Sequence, residues 1–334
     1  MLATRGSVVG APVRSTRAPT YRVHGMNTVI EVEGLRKEYR RVRGGRTVAV
    51  DGLDLAVPRG GVFGFLGPNG AGKTTTIRCL LGLVRPTGGR CRLLGEEPAG
   101  LHSVIGRVGS IVESPTMYPR FSARRNLELL ARISGIGRAR VRQVLDEVGL
   151  AERADDQVKN YSLGMKQRLG IAGALLKDPE VLILDEPANG LDPAGIVEVR
   201  RLMRRLGNEG RTVFVSSHIL NEVQQTADRV AILARGRQVA TGPVREVLTA
   251  GHATGLLLGL DDLPAGLRIL GEAGIDARAD DGLIRVGLPP ADAALVTRTL
   301  ADRGLYLTEL RPDEADLETV FLELTGGAST EGSR

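Results

Sequence analysis

The sequence predicts an α/β fold with a parallel sheet, a helical insertion and a small α+β domain towards the C-terminal end. Three observations carry that expectation. The apolar run Val62-Phe63-Gly64-Phe65-Leu66 leads into the glycine-rich loop Gly67–Thr75 and then into the apolar stretch Ile77–Val84, which is the order strand, loop, helix. Val181–Leu184 and Thr212–Val215 are further short apolar runs, as strands buried on both faces of a parallel sheet require. From Ser122 to Leu176 the apolar spacing changes from two to about 3.6 and afterwards reverts, the mark of helices placed between strands.

Taken in order, the first 25 residues carry Arg5, Arg14, Arg17 and Arg22 among Ser, Thr and Pro, without apolar periodicity or the apolar core of a signal peptide. They are expected to be a disordered basic tail, and Met26 is a candidate translation start. Val29-Ile30-Glu31-Val32 alternates as a strand does. Val48-Ala49-Val50 and Leu53–Val57 follow, and Pro58-Arg59-Gly60-Gly61 turns into the strand at 62–66. Gly88-Gly89 turns the chain into Cys91–Leu94, and Val108–Val112 is another short strand. In the helical block, Leu127, Leu130, Ala131 and Ile133 share one face behind Ser122 as N-cap. Val141, Val144, Leu145 and Val148 share the next, stopped by Gly149, and Ser162 caps a third helix from Leu163 to Leu176. Asp192-Pro193 opens a helix to about Leu206, an N-cap followed by proline at its first position. Residues 230–240 read as a hairpin turned at Arg235-Gly236. Beyond Ala250 come Leu256–Leu258, a helix near 264–273, Ile275–Ala279, Leu283–Val286, a helix near 291–302 and Leu305–Leu310. That β-α-β-β-α-β order is ferredoxin-like.

Composition narrows the function classes. With 42% hydrophobic and 25% charged residues, the 334-residue chain is an ordinary globular one. No run approaches the ~18–20 apolar residues that span a bilayer, so any membrane crossing belongs to another chain. Of the net charge of +6, the first 25 residues hold +4, which leaves a nearly balanced remainder and argues against a nucleic-acid-binding face. Trp is absent and aromatics are sparse, against a base-stacking platform. Cys79 and Cys91 are too few for a metal or redox motif and are expected to be reduced core thiols.

The chemistry gathers around Gly67-Pro68-Asn69-Gly70-Ala71-Gly72-Lys73-Thr74-Thr75. Its glycines let successive backbone N–H groups curl around an anion, and the following helix start adds unpaired donors and the positive end of its dipole. In such a loop Lys73 reaches the β- and γ-phosphates and the Thr74 hydroxyl takes a place on Mg²⁺. Lysine occurs only at positions 37, 73, 159, 166 and 177, so its presence in the motif stands out against the arginines that make up the other basic residues. Asp185 and Glu186 end a buried strand, suiting the first to Mg²⁺ through water and the second to taking a proton from attacking water. His218 ends the next apolar strand and is expected at the γ-phosphate. Ser162-Leu163-Gly164 opens another helix, a second anion-binding geometry in one chain. A head-to-tail dimer, with each Ser162 end covering the nucleotide on its partner's Lys73, accounts for both.

On these motifs, residues 28–245 resemble the nucleotide-binding subunits of ABC transporters. Gly67–Thr75 matches the family's Walker A loop, Val181–Glu186 Walker B, Ser162–Lys166 the signature loop, Asn189–Asp192 the D-loop and His218 the switch histidine. The resemblance implies a P-loop NTPase of ABC type that binds ATP with Mg²⁺, stacks Tyr39 on adenine, and is driven into a dimer by ATP. It places Asp192 at the nucleotide through the D-loop, and turns the segment from Glu113 to Phe121 and the following helices towards a permease. Two departures point to one branch. The signature reads Ser-Leu-Gly-Met-Lys, and Glu113 stands where most members have glutamine. Both resemble the bacitracin-, lantibiotic- and daunorubicin-resistance exporters, as does the closing stretch Leu317–Gly326. A carboxylate at 113 is a stronger Mg²⁺ ligand than an amide and sets a third acid near Asp185 and Glu186.

The implied organisation is a basic tail over 1–26, an ABC ATPase domain over 27–245 with a helical subdomain at about 97–176, an accessory domain over 250–326 and a flexible tail over 327–334. The implied protein is cytoplasmic, peripheral on the inner face of the membrane and partnered by an ABC-2 type permease, with no nucleic acid. It would export an antibiotic, peptide, drug or lipid-like substrate. The competing reading is a soluble ABC ATPase acting on ribosomes or DNA, against which stand the single P-loop and the lack of a long heptad array.

Overall fold

The computed structural model describes residues 27–40, 44–113, 116–249, 255–313 and 316–324; the expected tails at 1–26 and 327–334 lie outside the described residues. The chain opens with β1 (Thr28–Arg40) and β2 (Arg46–Pro58), an antiparallel pair. The two runs expected at 48–50 and 53–57 are one strand, because Gly52, at φ +71°, absorbs a register shift within it. β3 (Gly61–Leu66) leads through the glycine loop to α1 (Lys73–Leu80), and β4 (Gly88–Leu93) returns to pair with β1. β5 (Val108–Ile111) precedes the helices α2 (Ala123–Ile133), α3 (Arg138–Glu147) and α4 (Leu163–Leu175). Then come β6 (Val181–Asp185), α5 (Pro193–Asn208), β7 (Thr212–Ser217), the short α6 (Leu220–Gln224), β8 (Arg229–Ala234), β9 (Arg237–Pro243) and α7 (Val244–Thr249).

A six-stranded sheet ordered β5-β6-β7-β3-β8-β9 forms the centre, parallel except for the edge strand β9. β5, although inside the 97–176 span, belongs to this sheet. Successive residues of a strand face opposite ways, so each central strand feeds two cores. Leu182, Leu184, Val213 and Val215 pack towards the helices, while Val181, Ile183 and Phe214 pack towards α1 and the antiparallel sheet β2-β1-β4. Phe214 stacks on Phe63 at 5.9 Å and tilts against Phe65 at 5.2 Å between ring centres. Gly64 completes the β3 strand because a Cβ there would sit 2.2 Å from Val223 of α6. Cys79 and Cys91 are free and buried, and burial pushes the Cys91 thiol up to about 11.

The C-terminal part contains β10 (Gly255–Gly259), α8 (Leu263–Glu272), β11 (Ala277–Asp280), β12 (Leu283–Val286), α9 (Ala293–Ala301) and β13 (Glu309–Asp313). The sheet order is β11-β12-β10-β13, antiparallel throughout, with a separate core of Leu256, Leu258, Ile284, Val286, Val296 and Leu300 among others. The last strand lies later than the expected 305–310. Leu305 and Leu307 pack onto this core from the connecting segment, and the paired residues are the mixed set Glu309–Asp313 that follows. The chain then returns to the first core through α10 (Leu317–Leu324), whose Leu317 and Val320 are buried there against α6 and α7.

Glu180, just before β6, ties the start of this strand to two arginines. Hydrogen bonds from Arg107 and then Arg59 hold its carboxyl at about 2, against an ordinary 4.5. The folded value is depressed, so the stabilisation is present above pH 4.5 and is lost as pH falls through about 2. Partial exposure of the carboxylate makes the effect modest. Denaturant titrations at a series of pH values should show Glu180→Gln losing less stability than the parent across this acid window.

Candidate functional site

The glycine loop is walled on two sides. A Cβ on Gly67 would lie 2.4 Å from the Leu233 carbonyl oxygen of β8, and one on Gly72 would lie 2.4 Å from that of Ala49 on β2. Gly70 and Gly72 have φ of +81° and +103°, the left-handed region that glycine enters without strain. The turn between β8 and β9 buttresses the loop, with the Gly236 N–H donating to the Ala71 carbonyl at 3.1 Å. No side chain caps α1, so its first-turn N–H groups at Lys73, Thr74 and Thr75 remain directed at whatever the loop encloses. Pro68 and Asn69 form the outer part of the same turn, closed by a hydrogen bond from Ala71 N–H to the Pro68 carbonyl at 3.1 Å. A compact array of N–H donors at a helix start suits phosphate oxygens.

Lys73 is almost fully buried. Its Nζ donates to the carbonyls of Gly67 at 2.7 Å and Pro68 at 3.3 Å, and lies 3.1 Å from Glu186 Oε1. The other Glu186 oxygen is 2.8 Å from His218 Nδ1 and accepts the His218 backbone N–H at 3.3 Å. One carboxylate thus joins the glycine loop to the tips of β6 and β7. Glu186 itself has φ +49°, a left-handed conformation unusual for a residue with a side chain. Its N–H is held by the Ser216 carbonyl at 3.2 Å and the Ser216 hydroxyl at 3.1 Å. That hydroxyl in turn donates to Asp185 Oδ1 at 2.5 Å, leaving the second Asp185 oxygen for a cation. Thr74 and Asp185 are hard oxygen donors of the kind that Mg²⁺ takes alongside phosphate oxygens and water, so the residues fit that metal.

The structure brings Lys73, Asp185, Glu186 and His218 together beside the glycine loop and places Ser162, Gly164, Asp192, Tyr39 and Glu113 elsewhere. Ser162 accepts the Met165 N–H at 3.2 Å as the cap of α4, and Asp192 accepts the Gly195 N–H at 3.1 Å as the cap of α5. These helix starts touch where both lack a side chain, a Cβ on Gly164 lying 3.4 Å from the Gly195 Cα. Two tight turns, Asn189 N–H to Glu186 and Leu191 N–H to Ala188, link this second cluster to the first. Tyr39 is exposed on β1 opposite Thr47, with the Lys37 ammonium 5.0 Å above its ring. Glu113 has φ +70°, and its largely exposed carboxylate pairs with the Arg78 guanidinium of α1.

Sequence reading passed over Ser216 and Arg78. Ser216 was legible in part, as a polar residue closing an otherwise apolar strand. Arg78 lies 35 residues from its partner and carried no signal.

The chain is similar to known proteins over most of its length. Residues 50–189 match the family model described as ABC transporter. The chain is 40% identical over 311 residues to the bacitracin transport ATP-binding protein BcrA of Bacillus licheniformis, covering 91% of this chain and 99% of that one. It is 37% identical to the daunorubicin resistance ATP-binding protein DrrA3 of Streptomyces coeruleorubidus, covering 90% and 96%. Among solved structures it is similar to cbiO1 of Clostridium perfringens, described as part of an ABC transporter complex. The TM-score is 0.59 at 28% identity, over 66% of this chain and 90% of that one.

Ser216 makes a testable link in the site. Ser216→Ala strands Asp185 Oδ1 in a buried position, and loss of such a partner costs about 1–3 kcal/mol. Denaturant unfolding of the purified variant should show a loss in that range.

Proposed function

The chain belongs to the ABC transporter family and is an ATPase, and we propose that it drives a separate membrane-spanning permease exporting an antibiotic, peptide, drug or lipid-like substrate. The observation that carries the proposal is the Glu186 carboxylate, fixed between Lys73 on the glycine loop and His218 on the neighbouring strand tip. Two of the relatives carry names that tie them to bacitracin transport and daunorubicin resistance, and the likeness runs nearly the full length of both. No helix among the described residues is long and apolar enough to cross a membrane, which suits a subunit peripheral to its inner face.

In the proposed reaction the loop N–H groups and Lys73 hold the phosphates, with Tyr39 against the adenine. Lys73 exchanges its carbonyl and Glu186 contacts for γ-phosphate oxygens, and this frees Glu186 Oε1 to accept a proton. Water adds to the γ-phosphorus, the bond to the β–γ bridging oxygen breaks, and Glu186 takes the water proton. His218 holds the other Glu186 oxygen and keeps the carboxylate aimed. Bound Mg²⁺, held by Thr74, Asp185 and Glu113, would offset the charge on the phosphate oxygens. The Ser162–Gly164 helix start, with Asp192 behind it, would cover the nucleotide of a second ATPase subunit in a head-to-tail dimer. Closure and reopening of that dimer would move the permease between two states.

Glu186→Gln removes the proton acceptor while leaving the shape unchanged. Turnover should fall by about 10²–10⁴-fold, the usual share of a general base, with nucleotide retained. Affinity purification of this variant with Mg·ATP from its own cells should recover a stoichiometric polytopic membrane protein by mass spectrometry. Ribosomal or DNA-repair proteins in its place would overturn the transport role, and undiminished turnover would overturn the assignment of Glu186.

A further inference from the structure

Glu113 is directed by an unusual backbone and held by a specific partner. It leaves the sheet just beyond β5, whose Ile111 pairs with Leu184, the neighbour of Asp185. Its φ of +70° is a conformation that side-chain-bearing residues adopt at some cost. One carboxylate oxygen pairs with Nη2 of Arg78, 35 residues earlier in the chain. Arg78 belongs to α1, the helix whose first turn carries Lys73 and Thr74. Thr74 and Arg78 are four residues apart, so they lie on the same face of that helix, separated by about 6 Å along its axis. The proposed Mg²⁺-binding hydroxyl and the guanidinium that holds Glu113 are therefore one turn apart on a single face.

We propose that Arg78 is a positioning residue that competes with Mg²⁺ for the Glu113 carboxylate, and so sets how much Mg²⁺ nucleotide binding requires. The inference rests on the reading of Glu113 as a Mg²⁺ ligand given above. A carboxylate drawn one turn along α1 towards Arg78 is drawn away from Thr74. Reaching the metal means loosening the ion pair, and the pair's strength sets a threshold. Arg78 also sits in the last turn of α1, where a cation complements the helix dipole. That role would affect folding stability alone and would not depend on residue 113.

The test is a Mg²⁺ titration of the purified full chain at a fixed concentration of a fluorescent ATP analogue. It compares the parent with Arg78→Gln, Arg78→Lys, Glu113→Gln and the Arg78→Gln/Glu113→Gln double variant. Arg78→Gln should reach half-saturation at about two- to fivefold lower Mg²⁺, the range expected for loss of an exposed ion pair. Arg78→Lys, which keeps the charge, should stay near the parent. Glu113→Gln should need more Mg²⁺, and the double variant should match it. Coincident curves for the parent and Arg78→Gln, with Glu113→Gln still shifted, would overturn the competition and leave the ligand reading intact. A shift of the same size in the Glu113→Gln background would also overturn it. If Glu113→Gln coincides with the parent, the ligand reading fails and the inference fails with it.

Discussion

The parallel register of β6, β7 and β3 is the constraint on which the rest of the site depends. It sets Asp185 beside Ser216 and Leu66 beside Ser217, so that the acid pair, the histidine and the glycine loop leave the sheet at one level. Only there can one Glu186 carboxylate touch Lys73, at the start of the helix after β3, and His218, just beyond β7. The strands that enforce this are apolar on both faces, and their two cores lock them from either side. A one-residue slip would send each side chain into the opposite core and carry the polar residues at the strand tips out of line with one another. The apolar runs thus fix the positions of the polar groups at their ends.

Polar side chains at the strand tips then hold backbone that the sheet no longer governs. Ser216 bridges Asp185 and the Glu186 N–H, supporting a left-handed residue that regular pairing could not. Asp192 and Ser162 do the same for two helix starts that meet at paired glycines. On the far side of His218, α6 enters over Gly64, and its Gln224 side chain accepts the Leu317 N–H of α10 at 2.9 Å. The segment following His218 therefore lies between the central sheet and the helix that closes the described C-terminal part.

Much of this was legible in the sequence, for identifiable reasons. The strands before Gly67, Asp185 and His218 are short apolar runs that stop abruptly at polar residues, and that contrast needs no tertiary knowledge. The caps at Ser122, Ser162 and Asp192 were equally readable, since each accepts the N–H three residues on. What escaped depended on contacts distant in sequence. The antiparallel β2-β1-β4 sheet unites strands separated by the glycine loop. β2 looked like two strands because Gly52 interrupts its alternation, whereas pairing with β1 resumes on the other side of the register shift it absorbs. β13 was misplaced because an edge strand need not be apolar, whereas the leucines just before it must be buried. α6 and α10 are too short to show a helical period and are held by burial of Val223, Leu317 and Val320.

The Glu113 region shows how such distant contacts connect the chemistry to the surface. At one end of this segment an ion pair ties residue 113 to α1, the helix of Lys73. At the other, the buried Asn126 side chain accepts the Tyr118 N–H at 2.8 Å and donates to the carbonyls of Tyr118 at 3.1 Å and Ser122 at 3.0 Å. That clamp fixes Tyr118 and Phe121, whose rings lie 5.3 Å apart and are both exposed. The cost of burying an amide is recovered only when its bonds are made, so the clamp is specific to one loop geometry. Glu113, paired with α1, and Tyr118, held by Asn126, thus each owe their placement to a side chain outside the five positions that separate them.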